Sequence, residues 1–198
     1  MLASEKMDIT CSTIKAVSGL AEPFNFRFDG GVDDTSLFTR IIRGELQQWR
    51  VWEDDSHVAF LTPYANTPGL TVLVPRRHLS SDIFSIKDEL YCKLMAAAHT
   101  VGTILKGSFG ISRCGMIFEG LEIDYAHVKL VPVQQEYSNI GEFWEKQPAM
   151  DIESYQESYK GYVSSLDGPL FKDVCSLASA ALDISKRFSS NIVSPPQS

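Results

Sequence analysis

The chain has 198 residues, a formal net charge of −7 at neutral pH, a pI near 5.1 and 44% hydrophobic residues. That is enough apolar material for one domain with a sizeable core, and the acidic balance argues against a broad nucleic-acid-binding surface. A free small anion held by a local basic patch, at Arg76-Arg77 or Lys129, is the better expectation.

The first twenty residues contain Glu5, Lys6, Asp8 and Lys15 and no apolar run suited to a signal peptide. No later stretch approaches a membrane span, so a soluble cytoplasmic protein without a membrane partner is expected, with the nucleus also open to it. Residues 1–22 read as a weakly ordered extension. Residues 24–28, Phe-Asn-Phe-Arg-Phe, alternate with period two and predict a short half-buried strand ending at Asp29-Gly-Gly31. Residues 1–33 are thus expected to form an N-terminal extension with a short strand.

Leu37, Ile41 and Ile42 fall at helical spacing with Gly44 behind them, which predicts a short amphipathic helix over residues 36–46. The acidic stretch Glu53-Asp-Asp55, the apolar run Val58-Ala-Phe-Leu61, the turn Asn66-Thr-Pro-Gly69 and the run Thr71-Val-Leu-Val-Pro75 follow. Ser85 and the acidic pair Asp88-Glu89 predict a helix N-terminus. Leu90, Leu94, Met95, Ala98, Val101 and Leu105 continue it toward Gly107 as the long helix, which should cover one sheet face. His99 on that helix reads as a surface or packing residue. Residues 113–118 predict a strand, separated from the next by so few residues that an antiparallel neighbour is favoured. Beyond Pro132, residues 134–198 read as an accessory segment with aromatic anchors Trp144, Tyr155, Tyr159 and Tyr162 and a closing helix over 170–188.

The four cysteines Cys11, Cys92, Cys114 and Cys175 are dispersed and form no Cys-x-x-Cys pair, so reduced thiols without a structural metal are expected.

Residues 123–131, Ile-Asp-Tyr-Ala-His-Val-Lys-Leu-Val, carry the chemistry. Strand alternation would put Ile123, Tyr125, His127, Lys129 and Val131 on one face, and Pro132 closes the run. A neutral imidazole with one ring nitrogen held by an acceptor can attack phosphorus and form a phosphohistidine that water later cleaves. Lys129, roughly 6–7 Å along the strand, would favour the neutral imidazole by like-charge repulsion and attract a phosphate.

The order of these segments, from Asp34-Thr-Ser-Leu-Phe through Arg76-Arg-His78 to the histidine strand, resembles the histidine-triad (HIT) superfamily of nucleotide hydrolases and transferases. The resemblance runs from about residue 35 to Pro132. It implies an α+β fold for residues 34–133, a HIT-like antiparallel sheet with a long helix packed across it, followed by the C-terminal extension, and a homodimer as the usual assembly.

Aligned on Pro132, the middle, nucleophilic histidine of the family's His-x-His-x-His falls at His127, while Tyr125 and Lys129 stand at the outer positions, as in a HIT-like branch with a His-x-Lys variant. The implied function is nucleotide phosphoester or phosphoramidate hydrolysis or transfer without a cofactor or metal. His127 would attack the α-phosphate, Lys129 would stabilise developing negative charge, and Tyr125 would donate or position. By position Leu37, Phe38 and Ile41, with Phe60 and Leu61, would pack on a nucleobase, although all five also read as core. Thr62 stands where many relatives carry a ribose-binding Asp or Asn. His78 also matches a recurrent position and reads as structural.

The segment Glu119-Gly-Leu-Glu-Ile-Asp124 lacks the family's Gly-Gln-Ser/Thr phosphate loop. Unless Glu122 and Asp124 point away, they repel an anionic substrate. The alternative is a non-catalytic nucleotide-binding or protein-interaction module that kept the fold.

Overall fold

A computed structural model describes residues 4–20, 23–63, 65, 69–120 and 122–133. Its elements run α1 (Ser4–Ser18), α2 (Leu37–Ile42), β1 (Trp49–Glu53), β2 (His57–Leu61), β3 (Thr71–Pro75), α3 (Asp88–Phe109), β4 (Cys114–Ile117) and β5 (Val128–Pro132). The five strands form one sheet in the order β1-β2-β3-β5-β4 with every neighbouring pair antiparallel. β5 therefore enters between β3 and β4, and α3 makes the crossover that leaves room for it. The accessory segment and closing helix expected over 134–198 lie outside the described residues.

Alternation along the three inner strands, β2, β3 and β5, divides the apolar residues between the sheet's faces. Ala59, Leu61, Leu73, Val128 and Leu130 pack with Leu94, Ala98, Val101 and Leu105 of α3. Val58, Phe60, Val72 and Val74 pack on the opposite face with Phe38 and Ile42 of α2 and with Tyr125. Every residue of β2 and β3 is buried, which explains their continuous apolar character.

The long helix buries one stripe, Leu94, Ala97, Ala98, Val101 and Leu105, and carries Asp88 and Glu89 in its first turn and Lys106 in its last, as the helix dipole favours. It begins later than Ser85 suggested. Asp82 caps a short 3-10 turn at Ile83–Ser85, and α3 starts after Lys87 with no side-chain cap. It ends at Gly110, whose φ of 62° lets its N–H reach the Lys106 carbonyl.

Two expectations for the N-terminal region are corrected. Residues expected to be weakly ordered form α1, which buries Met7, Cys11 and Ile14 in the α3-side core. The helix is fastened to β1 by hydrogen bonds from Trp49 Nε1 to Asp8 (2.8 Å) and from Ser18 Oγ to the Val51 carbonyl (2.7 Å). Residues 24–28 form no strand. Their aromatic rings meet cations instead of a neighbouring ladder: Arg50 lies over Phe24 and Phe26, and Arg43 over Phe28.

Arg76, offered by the sequence as part of a phosphate patch, is also corrected. It is 1% exposed and donates to Glu53, to Asp54 O and to the carbonyls of Asn25 and Arg27. Arg50, equally buried, shares Glu53 and also reaches Asn25 O and Ile42 O. This buried cluster ties the 25–29 segment to the edge of the sheet. Its hydrogen bonds are already taken, which leaves none for a ligand.

Candidate active site

The strand expected from Ile123 begins only at Val128. Two local features break the extended run ahead of it. Glu122 has a left-handed φ of 65°, and the Tyr125 N–H turns back onto the Ile123 carbonyl at 2.8 Å. Residues 122–127 are consequently a folded loop leaning on residues 75–81. The Ala126 N–H donates to Leu79 O, the Ser81 N–H to the Asp124 carboxylate, and the Tyr125 hydroxyl to Pro75 O (2.7 Å). Gly120, at φ 66°, completes the close approach, because a Cβ there would lie 2.8 Å from the Ser81 carbonyl oxygen.

His127 emerges from this loop at the start of β5. It is 7% exposed, and its Nδ1–H donates to the Tyr125 carbonyl at 2.7 Å. A carbonyl can only accept, so the proton sits on Nδ1 and, in the neutral ring, the lone pair sits on Nε2. The ring packs 5.2 Å from Phe38, centroid to centroid, and lines a cavity of about 520 Å³.

That cavity lies on the α2 face of the sheet. Leu37, Phe38 and Ile41 of α2, Phe60 and Leu61 of β2, and Thr62 just beyond it all line it, together with His127 and Lys129. Eight of the nine residues singled out from the sequence thus share one space. Leu37 is half exposed at the rim, whereas Phe38 and Phe60 are buried and also belong to the core beneath. Phe38 and Phe60 are thus both core and cavity wall, whereas the core reading fails for Leu37.

The ninth, Tyr125, is fully buried beside the cavity without lining it. Its ring makes an edge contact with Phe38 and stacks on His78 at 4.8 Å. Burial pushes its phenol well above the ordinary tyrosine range, with the negative charge of Asp34 adding to the effect, so it stays protonated. His78 is braced in turn by Asp34 (Nδ1 to Oδ2, 2.8 Å) and faces the Asp124 carbonyl through Nε2. Asp34 also accepts the Ser36 N–H at 2.8 Å and so starts α2. Partial burial opposes its ionisation. Hydrogen bonds from Ser36, His78 and Thr39 outweigh that cost and hold its pKa down at about 2.

The sequence did not reveal what Lys129 touches. Its ammonium donates to Glu119 Oε2 at 2.8 Å, inside the same cavity. The pairing follows from the β4–β5 register, in which Ile117 lies opposite Lys129 and Glu119 comes two residues later. An antiparallel neighbour was expected there, but not its register. Of the two carboxylates flagged as hostile to anions, Asp124 is turned to Ser81 while Glu122 lines the cavity. Trp49 and the segment Leu46-Gln47-Gln48 complete the outer wall, a contribution that no periodicity announced.

No group of three or more metal-ligating side chains occurs among the described residues, and no helix there is long and apolar enough to cross a membrane. Cys11, Cys92 and Cys114 are free thiols.

The fold is that of HIT proteins: a HIT family protein from Bacillus subtilis superposes with a TM-score of 0.53 at 19% identity, over 78% of this chain and 97% of that one. No family model matches the chain. Among curated proteins it is similar to the adenosine 5'-monophosphoramidase of Saccharomyces cerevisiae, 22% identical over 69% of this chain and 86% of that protein. It is also similar to an uncharacterised HIT-like protein of Methanocaldococcus jannaschii, 26% identical over 63% of this chain and 98% of that protein. These relatives and the shared fold support the HIT superfamily for this chain.

Proposed function

We propose that the protein is a nucleotide phosphoester or phosphoramidate hydrolase or transferase that works through a phosphohistidine at His127. The observation that carries this reading is the state of that ring: buried, fixed through Nδ1 by the Tyr125 carbonyl, and lining a largely apolar cavity of nucleotide size. The similarity to a yeast adenosine 5'-monophosphoramidase supports the reaction class.

In this mechanism a base lies against Phe38, Ile41 and Phe60, and the sugar reaches Thr62. Nε2 attacks the α-phosphorus and forms a P–N bond. The bond from phosphorus to the leaving group breaks, its electron pair stays on the leaving atom, and that atom takes up a proton from solvent. Water then attacks the same phosphorus and loses a proton, and the electron pair of the P–N bond returns to Nε2. Lys129 offsets charge on the phosphoryl oxygens. Tyr125 acts as a positioning residue, since its carbonyl holds His127 while its hydroxyl is committed to Pro75. A homodimer belongs to the same reading, supported by the exposed Met116 on edge strand β4.

Incubating the full chain with adenosine phosphoramidate and with dinucleoside polyphosphates, and trapping any nucleotidyl adduct, tests the proposal. His127→Ala is expected to lose turnover by on the order of a thousand-fold or more and to form no adduct. Turnover retained in that variant would remove His127 from the chemistry.

A second reading, a nucleotide-binding module without catalysis, is favoured by one observation: Glu119 already occupies the ammonium that a phosphate would need. Tight nucleotide binding with no turnover in either form is its signature.

A further inference from the structure

Among the described residues, the charged ones lining the cavity are Glu119, Glu122 and Lys129, two carboxylates against one ammonium, and Glu119 already neutralises Lys129 at 2.8 Å. Glu122 remains. It makes no hydrogen bond or ion pair with any described residue, is solvent-exposed, and is held at the positive φ of 65° that side-chain-bearing residues seldom adopt. Asp124, two residues on, is turned out of the cavity toward Ser81, so the orientation of Glu122 is not shared by its neighbour. His127, 7% exposed, lines the same cavity.

A leaving group made of further phosphates would bring several negative charges to a site whose own balance is negative. One carrying an ammonium would find a carboxylate with no partner among the described residues. We propose that Glu122 determines leaving-group specificity, selecting nucleotide esters or amidates whose leaving group bears a positively charged amine and disfavouring polyphosphate leaving groups. This rests on the nucleotide reading given above and adds the chemistry of the second half of the substrate. Glu119 has a different part: it screens Lys129, so that a phosphoryl group carrying one negative charge is accepted in preference to a dianion.

The test compares two phosphodiesters that differ only in the relevant charge, adenosine 5'-(2-aminoethyl) phosphate and adenosine 5'-(2-hydroxyethyl) phosphate, titrated calorimetrically into the full chain. The aminoethyl ester is expected to bind about five-fold tighter, the upper range for a partly solvated ion pair. That preference should shrink as salt is raised. In Glu122→Gln, a near-isosteric change at an exposed position, the ratio should fall to about one, while in Glu119→Gln it should persist and the affinity for adenosine monophosphate should rise. Equal binding of the two esters by the unaltered chain, or an undiminished preference in Glu122→Gln, overturns the assignment and leaves the nucleotide reading intact. If neither ester nor adenosine monophosphate binds, the nucleotide reading falls and the assignment falls with it.

Discussion

Arg76 and Lys129 are both cations at strand ends that the sequence offers as phosphate contacts, and the structure treats them in opposite ways. Arg76 is 1% exposed and spends its donors on one carboxylate and three backbone carbonyls. Lys129 keeps about a third of its side chain accessible and holds a single carboxylate that faces a cavity. A buried guanidinium with every donor used is part of the framework, because removing any partner strands a charge in low dielectric. A partly exposed ammonium with one partner can exchange that partner for a ligand at small cost. Position along a strand does not separate the two cases. The number of acceptors around the cation does.

The widest gap between them should appear when each is replaced by methionine, which keeps the aliphatic volume. Arg76→Met leaves Glu53 and the Asn25, Arg27 and Asp54 carbonyls short of a donor and is expected to destabilise the fold by ~3–5 kcal/mol. Lys129→Met should change stability by less than ~1 kcal/mol, yet lower turnover roughly a hundred-fold, the usual order for loss of a charge-stabilising group. Urea unfolding midpoints read beside turnover of adenosine phosphoramidate check both halves. If Lys129→Met unfolds as readily as Arg76→Met, the contrast between framework and working cation is wrong.

The same contrast explains how far the sequence could be read. Strands β2 and β3 and the stripe on α3 were legible, since burial on both faces leaves a continuous apolar run in Val58–Leu61 and Thr71–Val74, and burial on one leaves a helical stripe over Leu94–Leu105. Eight candidate residues meet at one cavity because α2, the end of β2 and the start of β5 each deliver a short contiguous piece. The alternation at residues 24–28 misled because its phenylalanines lie against Arg50 and Arg43 rather than a sheet. Helix α1 passed unnoticed because the buried residues described in it, Met7, Cys11 and Ile14, are diluted by polar neighbours. The start of the histidine strand was misplaced because alternation cannot report a left-handed residue such as Glu122. The Glu119–Lys129 pair depends on hairpin register, which residue pattern alone leaves open.

A smaller effect sharpens the division at Tyr125, whose carbonyl serves the nucleophile while its hydroxyl serves the framework. Tyr125→Phe removes the bond to Pro75 and should cost ~1 kcal/mol of stability, with turnover reduced less than ten-fold because the carbonyl under His127 is untouched. A loss of turnover comparable to that of His127→Ala, at unchanged stability, would instead make the hydroxyl a donor to substrate.

The finest distinction concerns Asp34, a framework charge placed one layer behind the site. Its hydrogen bonds with Ser36, His78 and Thr39 outweigh partial burial and lower its pKa from the ordinary 3.8 to about 2. A carboxyl depressed in the folded state stabilises that state fully above its unfolded pKa and loses the contribution as pH falls through the folded value. The benefit of Asp34 should therefore be complete above about pH 5 and decline steadily from about pH 4 toward 2. Glu53, Asp54 and Asp124 are also held below their usual range, so acid weakens the whole protein, but those groups remain in Asp34→Asn and cancel in the comparison. The gap in unfolding midpoint between the unaltered chain and Asp34→Asn should be widest near neutral pH and close as pH approaches 2. A gap that stays constant down to pH 2.5 would mean that the His78 and Ser36 contacts depend on the shape of the side chain and not on its charge.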